Sequence, residues 1–304
     1  MGERAVRVAA IDCGTNTIKL LIGDLPEVVV RETRMVRLGQ GVDRTGRLAD
    51  DALERAFAAI DEYAVLVRQH GAQRIRFCAT SATRDAANAE EFTEGVLARL
   101  GVRPEVLSGA EEAALAFSGA VRHLVGTPRT PVLVVDIGGG STELILGDTE
   151  PRQADSMDIG SVRLHERHLH DDPPTEEQVA ACVADIDAQL DACPVDPADA
   201  ATVVGISGTC TTVAAGVLGL TAYDRDAIDQ QVLALDDVQA MVDRIVAMTV
   251  EDRRALPYMH PGRADVIDAG ALILSRVLHR ARTETMLVSE ADILDGIAWS
   301  LVGR

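Results

Sequence analysis

One stretch of this chain occurs twice. Asp12-Cys13-Gly14-Thr15-Asn16-Thr17-Ile18-Lys19-Leu20-Leu21-Ile22-Gly23-Asp24 aligns without a gap on Asp136-Ile137-Gly138-Gly139-Gly140-Ser141-Thr142-Glu143-Leu144-Ile145-Leu146-Gly147-Asp148, 124 residues further on. A duplication constrains a fold more than any single motif, because both copies must form the same unit and bury equivalent faces. Each copy reads as an apolar strand ending in Asp, a tight turn of Gly and hydroxyl residues, and a second apolar strand ending in Gly-Asp, which is the pattern of a β-hairpin.

The 304 residues around the hairpins suffice for two α/β domains. Helical and strand patterns alternate. Asp51 with Glu54 reads as a helix cap ahead of the stripe Leu53, Phe57, Ile60, Ala64 and Val67, which Gly71 ends. Thr175 and Gln178 make a second capping signature ahead of Val179, Val183, Ile186 and Leu190, after the loop Asp171-Asp172-Pro173-Pro174. Further strands are expected at Arg74–Cys78, Val132–Val135 and Thr202–Ile206, and a helix at about Val238–Met248. Gly and Pro interrupt the periodicity in Val125–Pro131, which sets expected domains at 1–125 and 126–304.

Composition narrows the function classes. Hydrophobic residues are 47% and charged residues 25%, ordinary for a globular protein. The net charge of −19 repels extended polyanions, so nucleic acid is not an expected partner. A small phosphate ligand is still compatible, since backbone amides, arginines and a divalent cation supply local positive potential. Five cysteines with no C-x-x-C pair indicate reduced thiols, and neither a signal peptide nor a long apolar run is seen, so a cytoplasmic protein without a membrane partner is expected.

The turns carry the chemistry. Glycine lets backbone amides converge on phosphate oxygens while Ser and Thr hydroxyls add donors, which Gly138, Gly139, Gly140, Ser141 and Thr142 provide. Asp136, at the end of the preceding strand, is placed to hold a hydrated Mg²⁺, and Glu143 begins the return strand near it. Several residues admit two readings. Glu111-Glu112 is either a catalytic pair or a solvated helix start complementing the dipole. Glu143 is either functional or an exposed strand residue. Arg84, in a Ser/Thr-rich loop, either grips phosphate or faces solvent. Ser207-Gly208-Thr209 is either a second cradle or a tight strand-to-helix turn, and Arg263 contacts substrate or pairs with Asp265 or another carboxylate. His165, His168, His170 and His260 lack the partner spacing of a zinc site.

Asp12 through Thr17 and Asp136 through Glu143 resemble the two phosphate motifs of the acetate-and-sugar-kinase/heat-shock-chaperone/actin superfamily. Within it, the second copy is similar to the signature of the exopolyphosphatase and guanosine-pentaphosphate phosphohydrolase family. Thr80–Ala86, Leu107–Ala113 and Arg263–Ile267 agree in order along nearly the whole chain. The resemblance implies two ribonuclease-H-like domains facing each other across a cleft, with a final helix at about 290–304 packing back on the first. It implies Mg²⁺-dependent release of terminal phosphate. It implies Glu112 as the base, Glu143 as a residue orienting water or binding metal, and metal ligation by Asp136, Glu143 and Asp12. Phosphate contacts are implied at Thr15, Asn16, Thr17, Arg84, Gly138, Gly139, Gly140, Ser141, Thr142, Gly208 and Thr209.

Inorganic polyphosphate is the expected substrate. Short chains are favoured because longer relatives carry an added C-terminal domain, and because an acidic surface offers no extended basic track. Aromatic residues at 3% leave few base-stacking partners, which weighs against guanosine penta- or tetraphosphate as ligand without removing it. The rival expectations are a guanosine pentaphosphate phosphohydrolase linked to the stringent response, a guanosine-tetraphosphate sensor without turnover, and an ATP-dependent kinase of the same superfamily. A homodimer is left open.

Overall fold

A computed structural model of the chain describes residues 6–126 and 128–302. Thr127, inside the expected linker, residues 1–5, and residues 303 and 304, at the end of the expected final helix, fall outside the described residues. The chain divides into two compact units. The first runs up to Gly119 and takes in the residues from Ile293 onward; the second is Ala120–Asp292. The division falls within the helix Gly109–His123, ahead of the Gly/Pro stretch that the sequence suggested, because the helix continues unbroken up to that stretch.

The first unit contains a five-stranded sheet of β1 (Val8–Cys13), β2 (Thr17–Asp24), β3 (Glu27–Met35), β4 (Arg74–Ala79) and β5 (Glu105–Val106), in the order β3-β2-β1-β4-β5. The second contains six strands, β6 (Val132–Ile137), β7 (Thr142–Gly147), β8 (Pro151–Met157), β9 (Thr202–Ile206), β10 (Val232–Ala234) and β11 (Thr285–Val288), in the order β10-β11-β9-β6-β7-β8. In both, three antiparallel strands lead into parallel partners reached by helical crossovers, as α/β units require. The central strands β1 and β6 are buried along their whole length, which is why they read as continuous apolar runs and not as alternating ones.

The duplication extends to details of the backbone. Val8 pairs with Gly23 and Val132 with Gly147, and every later pair of the two hairpins keeps the 124-residue spacing. Each hairpin turn is closed by the same bond, Gly14 N to Thr17 O at 2.9 Å and Gly138 N to Ser141 O at 3.0 Å. Each return strand has a register shift at the same place, Ile22/Gly23 and Leu146/Gly147. A Cβ on Gly23 would lie 2.3 Å from the Glu27 carbonyl oxygen, so the shifted strand demands glycine there.

The helices follow the expected faces with one change at a terminus. Helix Asp50–Gln69 buries Leu53, Ile60, Ala64 and Val67, while Phe57 stacks on Phe92 with ring centroids 6.0 Å apart. Its N-cap is Ala49, which offers no side-chain bond; Asp51 lies in the first turn and pairs with Arg55 at 2.6 Å instead of capping. Thr175 does cap Glu176–Ala192, accepting from Gln178 N at 3.3 Å. The helix expected near Val238–Met248 spans Leu235–Ala247. The C-terminal helix Ile293–Val302 packs within the first unit, where a Cβ on Gly296 would stand 2.0 Å from the Leu115 carbonyl oxygen, and Arg31 pairs with Asp295.

Candidate active site

In the second unit, Asp136 on β6 stands directly opposite Glu143 on β7, so both carboxylates leave the sheet on the same face. Glu143 is only 1% exposed, and its Oε1 accepts from the Ser156 hydroxyl at 2.7 Å. Asp136 is also buried and accepts from the Ser207 hydroxyl. Glu143 is thus not the exposed strand residue of its alternative reading.

Between the two strands lies the glycine turn, and its carbonyls are all taken from one side. The first turn of helix Ser161–His168 donates Ser161 N to Gly138 O at 3.0 Å, and Val162 N and Arg163 N to Gly139 O at 2.9 and 3.1 Å. Arg163 Nε adds a bond to Gly140 O at 2.7 Å. In a planar trans peptide the N–H points opposite to the C=O it is joined to. Fixing the carbonyls of Gly138, Gly139 and Gly140 on the helix side therefore turns the amides of Gly139, Gly140 and Ser141 away from it, a row of donors on one side of the turn. Gly160 is required by this arrangement, since its Cβ would lie 2.5 Å from the Gly139 carbonyl carbon and oxygen. Thr142 differs from its expected phosphate contact. It is fully buried, and its hydroxyl donates to Ile159 O at 2.7 Å, bracing the hairpin from behind.

The Ser207-Gly208-Thr209 turn joins β9 to helix Ser207–Val217. Ser207 has φ +66°, an uncommon conformation for a residue with a side chain, and this turn holds its hydroxyl on Asp136. Gly208 lies under the Arg263 guanidinium, where a Cβ would meet Nη2 at 2.1 Å, and Arg263 Nη1 donates to the Thr212 hydroxyl at 2.7 Å. Burial lowers the Arg263 pKa from its ordinary value, against the opposing pull of Tyr223 and Glu290. Thr209 is buried beside Gly270. The turn is therefore both a tight connection and the support of Asp136.

The first unit repeats the device with different chemistry. Val36 N and Arg37 N donate to Asn16 O at 3.0 and 2.9 Å, and Gly39 N to Thr15 O at 2.8 Å, turning the amides of Asn16 and Thr17 the other way. The Thr15 and Ser81 hydroxyls share a bond at 2.9 Å. At the position matching Glu143 stands Lys19, 3.5 Å from the Asp12 carboxylate. Arg84 and Glu112 come together: Arg84 Nη1 donates to Glu112 Oε2 at 3.0 Å and to Leu107 O at 2.9 Å. Glu112 is buried, while its neighbour Glu111 is exposed and forms a capping box with Ser108, Glu111 Oε2 accepting from Ser108 N at 2.9 Å and Glu111 N donating to the Ser108 hydroxyl at 3.3 Å, so the two acidic residues have different environments. Ser108 stands three positions before Glu111, the spacing of that box, but the sequence reading of Glu111-Glu112 as a helix start names no cap.

The donor chemistry separates the expected metal residues. Asp136 and Glu143 offer hard carboxylate oxygens side by side, and Mg²⁺ is held by one or two such carboxylates with water and phosphate oxygens completing its shell. These residues fit that ion. Asp12 is already countered by Lys19 and does not share this character. Among the described residues no three His, Cys, Asp or Glu side chains gather as a metal cluster; His165 bonds to Asp268, His168 to Asp185, and His260 accepts from Gly262 N. All five cysteines are free thiols, and burial first, then the nearby aspartate, pushes the pKa of Cys13 and Cys210 up, leaving them poor nucleophiles.

Two sheets built on a repeated hairpin, each with an aspartate near the end of its central strand, define a duplicated α/β fold of the actin type. The chain belongs to the Ppx/GppA phosphatase family, whose model matches residues 19–304. It is 48% identical to Exopolyphosphatase 2 of Mycobacterium tuberculosis over 98% of this chain and 99% of that protein. Among solved structures it is similar to an exopolyphosphatase-like protein at TM-score 0.95 and 45% identity, covering 98% and 99% of the two chains. The exopolyphosphatase of Cytophaga hutchinsonii matches at TM-score 0.90 and 29% identity over 98% of both chains. No helix among the described residues is long and apolar enough to cross a membrane.

Proposed function

We propose that this chain is an exopolyphosphatase that releases terminal phosphate from inorganic polyphosphate by hydrolysis, with short chains preferred. The observation that carries the proposal is the glycine turn with its amides directed away from the bracing helix, flanked by the carboxylate pair Asp136 and Glu143. The likeness to Exopolyphosphatase 2 supports it. The amides of Gly139, Gly140 and Ser141 bind phosphate oxygens, as do those of Asn16 and Thr17. Mg²⁺, when held by Asp136 and Glu143, neutralises charge on the phosphoryl oxygens. Glu112 accepts a proton from the attacking water as its oxygen bonds to phosphorus and the bond to the departing phosphate oxygen breaks. Little covalent work falls to the protein in such a transfer, so placement and electrostatics dominate. The free thiols accord with a cytoplasmic protein.

The test is phosphate release with Mg²⁺ from tripolyphosphate, long polyphosphate, guanosine pentaphosphate and ATP. Release from tripolyphosphate is expected, and Glu112→Gln should lower kcat by about 10²- to 10⁴-fold, the usual contribution of a general base. Undiminished activity in the variant refutes Glu112 as the base. Release from guanosine pentaphosphate alone replaces polyphosphate with the nucleotide.

A further inference from the structure

The helix that braces the glycine turn has eight residues, too few to hold its shape or place without tertiary contacts. One turn beyond Ser161, His165 Nδ1 lies 3.2 Å from Asp268 Oδ1. Asp268 and Arg253 are each 1% exposed and paired at 2.8 Å, and Asp268 also accepts from Ala269 N at 2.8 Å. Arg253 Nε reaches Thr249 O at 3.4 Å, and Asp172, 3.7 Å from Arg253 Nη2, accepts from Val250 N at 2.8 Å. A charge pair removed from water to this extent is a weak device for stability and is better suited to fixing one arrangement. The residues it fixes belong to the site. Two positions after Asp268, a Cβ on Gly270 would lie 2.7 Å from the Thr209 hydroxyl and 3.2 Å from Ser161 Cβ. The first turn of helix Ile267–Arg280 thus touches the helix bracing the glycine turn and the turn whose Ser207 hydroxyl is held by Asp136.

We infer that His165, clasped by the buried Asp268–Arg253 pair, is a positioning residue that sets the glycine turn through helix Ser161–His168. For its effect on turnover this rests on the reading of that turn as the phosphate holder. The imidazole nitrogen ties the helix to a buried ion pair, the helix amides hold the turn carbonyls, and the opposite amides keep their direction.

The test compares the full chain with His165→Leu, which keeps apolar bulk but lacks the nitrogen, and His165→Asn, whose amide can replace the bond at Nδ1. His165→Ala serves if the leucine variant does not fold. Amide hydrogen exchange in peptides covering Ser161–Arg163, whose amides hold the turn carbonyls, should accelerate about tenfold in His165→Leu and return near wild type in His165→Asn. With tripolyphosphate, KM should rise about tenfold while kcat changes less than about threefold, with recovery in His165→Asn. Unchanged exchange in the leucine and alanine variants overturns the inference, as does equal impairment of leucine and asparagine variants. If the wild-type protein releases no phosphate, the functional reading fails while the exchange comparison still decides the clasp.

Discussion

Arg84 shows how a residue's role is set by its neighbours. Its Nη1 serves the Leu107 carbonyl and the Glu112 carboxylate together, so the guanidinium fixes where the carboxylate points. The motifs suggested a phosphate grip at Arg84 and a base at Glu112 as separate functions, since 28 positions of sequence hide a contact of 3.0 Å. Arg84→Ala should lower kcat/KM for tripolyphosphate about 10²-fold, and Arg84→Lys should recover only part of it, because an ammonium cannot reproduce the planar fork. Initial rates decide; an alanine variant as fast as wild type removes Arg84 from the site. Asp136 and the glycines are site candidates in the sequence because their residue types state their chemistry, whereas Glu143 has two readings there that its burial separates. Ser207 stands in the sequence only as part of a turn with two readings, and Arg163 not at all, because a serine at positive φ and an arginine bonded to a carbonyl look like ordinary residues in a sequence.

At the scale of elements, strands were the most legible part. The apolar runs that became β1, β6 and β9 keep their places because burial on both faces leaves one residue type acceptable along the run. Helix Ser161–His168 is not legible in the sequence, since two turns carrying two histidines, two arginines and a glutamate leave only Val162 and Leu164 as apolar markers, and its placement comes from tertiary bonds. Its entry at Gly160 leaves no room for a side chain beside the glycine turn. Gly160→Ala should displace Gly139, lowering kcat/KM about tenfold or more and destabilising the protein by about 1–3 kcal/mol, as overpacking does. Phosphate release with a thermal melt checks both effects, and wild-type rates in the alanine variant would show that the turn does not need this contact.

At the scale of the molecule, the net charge of −19 acts on any polyanionic substrate before it reaches the local donors. Salt shortens the range of that repulsion, from ~30 Å at 0.01 M to ~10 Å at 0.1 M. At constant free Mg²⁺, kcat/KM for long polyphosphate should therefore rise with KCl over that range, and rise less for tripolyphosphate; a fall for both would mean that local cationic groups govern capture. The charge also makes the contrast between the two hairpins more consequential. Lys19 occupies the rung that Glu143 occupies in the other copy, on backbones matched down to the same register shift. One opposite charge breaks the pseudo-symmetry of the two hairpins: at this rung the first copy is an ion pair and the second a pair of facing carboxylates, so a repeated scaffold carries two different electrostatic ends.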